Sequence, residues 1–128
     1  LIKTNQSSEM KTLFYIFLGG GAGSVLRFLI SGYTQKWWVY NSFPMGTFLV
    51  NVLGCFLIGI FSTSFLKNDS LRFFLIAGFC GGFTTFSALS AESFSLWQSG
   101  NYTILLLYIL LSILAGIVAV MLGMKISS

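Results

Sequence analysis

From Gly78 to Glu92 the chain reads GFCGGFTTFSALSAE, setting the hydroxyls of Thr84, Thr85, Ser87 and Ser90 and the carboxylate of Glu92 among glycines and aromatic rings. These side chains bind small ions by hydrogen bonding: a hydroxyl donates to an anion, a carboxylate accepts or titrates. The surrounding stretch is apolar and long enough to cross a bilayer. An unpaired polar group in hydrocarbon is costly, so hydroxyl-rich backbone at membrane depth is tolerated only where it is buried in protein or lines a watery path. The segment reads as a pore or a site.

Other polar residues fall inside apolar runs. Asn51, within Thr47-Phe-Leu-Val-Asn51-Val-Leu-Gly54, is either glue between helices or a source of amide donors for a passing anion. Arg27 either snorkels to the surface or raises the anion concentration at a pore mouth. Phe83, Phe86 and Leu89, and Ser87 and Ser90, recur at three-residue spacing, which predicts neighbouring stripes of rings and hydroxyls on one helix. Such rings are usually core packing. Beside hydroxyl donors, however, their positive edges can face an anion without gripping it as a full charge would.

Composition sets the elements that must hold these groups. The 128 residues are 55% hydrophobic and only 8% charged, too little polar surface for a water-soluble domain. Spanning helices of about 20 residues fit at Leu13–Tyr33, Met45–Leu66, Leu71–Trp97 and Tyr102–Met124. Residues 1–9 read as an N-terminal extension, because Met10 resembles a natural start, and 10–128 as one domain. An apolar run that resumes at Val25 and three later spans argue against a cleaved signal peptide. Trp37, Trp38, Tyr40, Trp97 and Tyr102 flank the spans as interfacial anchors, with Pro44 and Gln98-Ser-Gly-Asn101 marking turns.

The net charge of +4 is scattered at span ends, so no basic patch exists for nucleic acid. Lys3, Lys11, Lys67, Arg72 and Lys125 fall on one side of four spans, with Lys36 and Arg27 toward the other, which favours cytoplasmic termini. Cys55 and Cys80 lie in different spans and the chain has no His, so they read as small buried hydrophobes and not as zinc or haem ligands. Gly19 and Gly23, Gly78 and Gly82, and Gly116 and Gly123 are spaced for close helix packing. A proton-coupled exporter of the small four-helix multidrug type would need a carboxylate in the first span, and none is there. An inert scaffold leaves the hydroxylated third span unexplained. An enzyme lacks paired carboxylates or an activated nucleophile.

Gly19-Gly-Gly-Ala-Gly-Ser-Val-Leu-Arg27, Gly46-Thr-Phe-Leu-Val-Asn51-Val-Leu-Gly54, Gly78-Phe-Cys-Gly-Gly-Phe-Thr-Thr-Phe-Ser87 continuing to Glu92, and Gly100-Asn-Tyr102 together resemble the Fluc (CrcB-type) bacterial fluoride channel family, over Met10 to about Met124. The resemblance implies an all-α membrane protein of four transmembrane helices with a broken third helix, assembling as an antiparallel, dual-topology dimer with two pores. It implies a passive, fluoride-selective channel of the bacterial cell membrane that exports fluoride accumulated after entry as HF. The partner is a second copy or an oppositely oriented paralogue, which the one-sided charge bias keeps in play.

Position by position, the resemblance implies pore-lining roles for Asn51, Phe86, Ser87 and Ser90, with Thr85 beside them and Tyr108 where some members carry a fourth-span tyrosine. Arg27 and Glu92 correspond to vestibule residues. The helix break is expected at Gly81 to Thr84, whose freed carbonyls at Gly81 and Thr84, from both subunits, would hold a central structural Na+. One departure stands out: where the family reads Phe-Ser-Thr-Phe-Ser, this chain has Phe86-Ser87-Ala88-Leu89-Ser90, so Leu89 replaces the second ring of the aromatic box.

Overall fold

A computed structural model describes residues 6–37, 42–64 and 68–128. Lys3, Trp38, Tyr40, Leu66 and Lys67, and the extension as far as residue 5, lie outside the described residues. The elements are α1 (Gln6–Trp37), α2 (Met45–Thr63), a third span made of α3 (Asp69–Arg72), a π-helical segment (Phe73–Cys80), α4 (Gly81–Phe83) and α5 (Phe86–Gln98), and α6 (Tyr102–Ser127). Among the described residues, four helical stretches are long and apolar enough to cross a membrane: Gln6–Trp37, Met45–Thr63, Asp69–Gln98 and Tyr102–Ser127. The 32 residues of α1 exceed what a bilayer core requires. Its first residues, Gln6 to Glu9, belong to the expected extension and continue into the span without a break.

Glycines decide which helices touch. Along α1, Gly19 and Gly23 face the third-span backbone at Gly78, Phe79 and Phe83, while Gly82 faces Gly20; a Cβ at Gly19, Gly23 or Gly82 would collide with main-chain atoms. Contacts climb both helices in the same sense, so the first and third spans run parallel. Between α2 and α6 the same device recurs, Gly59 against Gly123, and the Thr63 hydroxyl meets Met124 O and the Ser127 hydroxyl one turn on. Removing side chains lets backbones approach, and in lipid that packing is a main source of helix association. The spacing expectation for all three glycine pairs holds, with Gly116 set against the Cys55 sulfur.

Adjacent spans are tied at their ends. Gly46, at the start of α2, packs on the Ser31 carbonyl of α1, and its N–H donates to Gln35 Oε1 at 3.3 Å.

Candidate functional site

The third span breaks at two threonines. Thr84 (ψ 156°) and Thr85 (φ −148°, ψ 118°) are extended, whereas Gly81 keeps helical angles of −62° and −39°. The break thus takes only the last residue of the expected stretch from Gly81 to Thr84 and extends to Thr85. The glycines serve close approach to α1 and stay helical; the threonines break the ladder because their hydroxyls offer the backbone other partners. Thr84 Oγ1 donates to Cys80 O at 2.9 Å, and Thr85 Oγ1 caps α5 by accepting the Ala88 N–H at 3.1 Å.

Two side chains from other spans hold the break open. Asn51 grips the Thr85 peptide from both sides: Nδ2 donates to Thr85 O at 3.1 Å, and Thr85 N–H donates to Asn51 Oδ1 at 2.8 Å. Arg27 Nε donates to Gly82 O at 3.0 Å, with Ser24 Oγ at 3.5 Å from the same oxygen. A continuous helix would have bonded that carbonyl internally. Arg27 is thus placed at the break, and it does not line the polar cavity that holds Glu92.

A groove of about 270 Å³ opens along the break, lined by Asn51, Cys55, Thr84, Thr85, Phe86, Leu89 and Ser112 among others. Asn51, Thr85, Phe86 and Leu89 are therefore brought together. Ser87 and Ser90 are exposed and do not line this groove; Ser87 Oγ lies 3.1 Å from Thr85 Oγ1. Phe83 departs from the expected stripe, since the break separates it from Phe86. It is 3% exposed and stacked on Phe79, while Phe86 is 79% exposed.

Tyr108 is fully buried, and its hydroxyl donates to Glu92 Oε1 at 3.1 Å. Glu92 borders a second, more polar cavity of about 510 Å³ with Gln35, Ser42, Ser95, Ser99 and Asn101. Sequence reasoning missed Ser112, whose hydroxyl is buried in the groove wall without a hydrogen-bond partner. It also missed Thr47, buried beside the Tyr108 phenol. Both were findable: Ser112 follows Tyr108 by one helical turn, and Thr47 precedes Asn51 by one. Because α2 and α6 run parallel, these residues form successive rungs, Thr47 with Tyr108 and then Asn51 with Ser112.

The groove offers donors and ring edges but no full positive charge. An amide nitrogen has two donors, and Asn51 spends only one on Thr85. Together with the Ser112 hydroxyl this suits a small anion stripped of water. The break also frees carbonyls for a hard cation. Gly81 O and Thr84 O would have bonded Thr85 N–H and Ala88 N–H in a continuous helix, but those donors turn to Asn51 Oδ1 and Thr85 Oγ1. Gly81 is exposed. Freed carbonyl oxygens are the donor type a hard cation such as Na+ would take.

Residues 14–124 match the family model described as CrcB-like protein, Camphor Resistance (CrcB). The chain is 50% identical over 118 residues to a fluoride-specific ion channel FluC of Azobacteroides pseudotrichonymphae, an alignment covering 89% of this chain and 94% of that relative. It is 51% identical over 123 residues to the protein of that name from Phocaeicola vulgatus (92% and 99% covered), and 43% identical over 120 residues to that from Pyrococcus furiosus (90% and 94%). Matched by the family model over most of its length and by relatives at 43–51% identity, the chain belongs to the CrcB-like family.

Proposed function

We propose that this protein is a passive, fluoride-selective channel that lets fluoride leave the cytoplasm through the cell membrane. The relatives named fluoride-specific ion channel FluC align over nearly the whole of this chain. The observation that carries the reading in the structure is the groove where Asn51, Thr85 and Ser112 converge beside the outward ring of Phe86. An anion entering it exchanges water for amide and hydroxyl donors, and ring edges add weak attraction. Conduction needs binding strong enough to admit the ion and weak enough to release it. A groove without a full positive charge meets that condition.

The working unit we propose is an antiparallel dimer with two pores. Phe86 turns out of the protomer, so one wall of the groove awaits completion. One chain frees only the carbonyls of Gly81 and Thr84, and a hard cation gathers oxygens on several sides. A second, inverted copy would double that set around a structural Na+, which would neutralise carbonyl dipoles at the dimer centre. Ser87 and Ser90, exposed on one chain, would then face the partner's side of a pore.

Purified protein in potassium-fluoride-loaded liposomes tests the function, with valinomycin added and efflux read by a fluoride electrode. Rapid fluoride release without chloride release is expected, and from a single chain type it would assign the partner to a second copy. Release only when an oppositely oriented paralogue is co-reconstituted would assign a heterodimer. Equal chloride release would overturn the selectivity.

A further inference from the structure

We infer that Phe43 is a positioning residue for conduction: its ring wedges the Tyr108 phenol onto Glu92, between the polar cavity and the groove. The inference rests on the channel reading above. The backbone around Phe43 aims the ring. Ser42 has φ 66°, in the left-handed region, and turns the chain inward. Pro44, at φ −76° and ψ 76°, then makes an inverse γ-turn in which the Met45 N–H donates to Phe43 O at 2.8 Å. The proline ring restricts φ, and the turn runs straight into α2, where Phe48 N–H donates to Pro44 O at 3.1 Å. Gly46, packed on Ser31 and bonded to Gln35, pins the helix start. Phe43 is thus anchored by Pro44, α2 and α1.

So anchored, the Phe43 ring lies edge-to-face with Tyr108, centroids 5.3 Å apart at 81°, and with Phe48 at 5.5 Å and 76°. The Tyr108 ring can keep its hydroxyl on Glu92 Oε1 only while its plane is held. The same short turn also builds the cavity that Glu92 borders, since Ser42 and Pro44 line it. From Tyr108, one turn of α6 leads to Ser112 in the groove; from buried Thr47, one turn of α2 leads to Asn51. An ion moving from cavity to groove therefore passes the Tyr108 and Thr47 rung. If the phenol swings away, the Glu92 carboxylate loses its donor and presents more of its charge to the anion. Repulsion then slows passage.

Fluoride efflux from liposomes tests this with Phe43→Ala, Phe43→Leu and Phe43→Tyr, each also made in a Tyr108→Phe background and checked for monodisperse elution. Removing the edge-to-face contact in Phe43→Ala should cut efflux roughly threefold to tenfold. Phe43→Leu, which keeps bulk but no ring, should do the same and stands in should the alanine variant fail to fold. Phe43→Tyr, which keeps the ring, should retain flux close to the wild type's. In the Tyr108→Phe background, changing Phe43 should alter efflux little further, because the hydroxyl it positions is gone. Full efflux through Phe43→Ala or Phe43→Leu, or losses that multiply in the double variants, would overturn the inference while leaving the channel reading intact. A wild type that carries no fluoride would overturn both.

Discussion

The Asn51 amide and the Thr85 peptide form a reciprocal pair across two spans, with Nδ2 to O at 3.1 Å and N–H to Oδ1 at 2.8 Å. The pairing bears out the helix-glue reading of Asn51. One amide hydrogen holds the helix break, and the other remains for the groove. On the proposed function, that second hydrogen is the anion donor.

Asn51→Asp should nearly abolish fluoride efflux. It removes both amide donors and faces the Thr85 carbonyl with an oxygen, adding negative charge where an anion must pass. Stability should also fall, by about 1–3 kcal/mol for the buried carbonyl left unpaired. Efflux and thermal unfolding of the same preparation check both; unchanged efflux would remove Asn51 from the ion path.

Ser112→Ala should lower fluoride efflux while leaving stability almost untouched. Its hydroxyl has no protein partner to lose, so the structural cost is small and the cost to a bound anion is one donor. Parallel efflux and unfolding measurements separate the two effects. A loss of stability without a loss of flux would place the hydroxyl in packing.

Leu89→Phe should preserve or raise efflux, because Leu89 lines the groove next to Phe86 and a ring there would add a second positive edge. A well-folded variant that conducts nothing would show a groove packed around leucine.

Sodium should stabilise the purified protein relative to potassium or a large organic cation, as read by thermal unfolding in exchanged buffers. Thr85→Ala should blunt that sodium effect. Without the Thr85 hydroxyl the Ala88 N–H is free to return to Thr84 O, and losing the cap alone costs about 1 kcal/mol. A cation-independent melting temperature in the wild type would remove Gly81 and Thr84 from any cation site.

Gly19→Ala should destabilise strongly, and Gly21→Ala should not. A Cβ at Gly19 meets the Phe74 carbonyl and the Phe79 nitrogen, whereas at Gly21 nothing lies within 4 Å. Overpacking costs about 1–3 kcal/mol, while Gly to Ala on an open helix face gains roughly 0.5–1 kcal/mol. Comparative thermal unfolding checks the contrast.

The four spans, their glycine contacts and the interruption of the third were legible in the chain, because hydropathy, small-residue spacing and misplaced hydroxyls are local properties that any membrane fold must respect. Asn51, Thr85, Phe86 and Leu89 were legible as a group because the resemblance names them. The location of the break was not. Gly81 and Gly82 are the residues that permit a break, yet they stay helical because α1 needs their bare Cα atoms, and the threonines redirect the backbone instead. Nor could sequence place Arg27 on Gly82 O, set Ser112 opposite Asn51, or bring Phe43 from the α1–α2 turn onto Tyr108. Those relations join residues far apart in the chain, and only the parallel packing of α2 with α6 and of α1 with the third span decides which side chains meet.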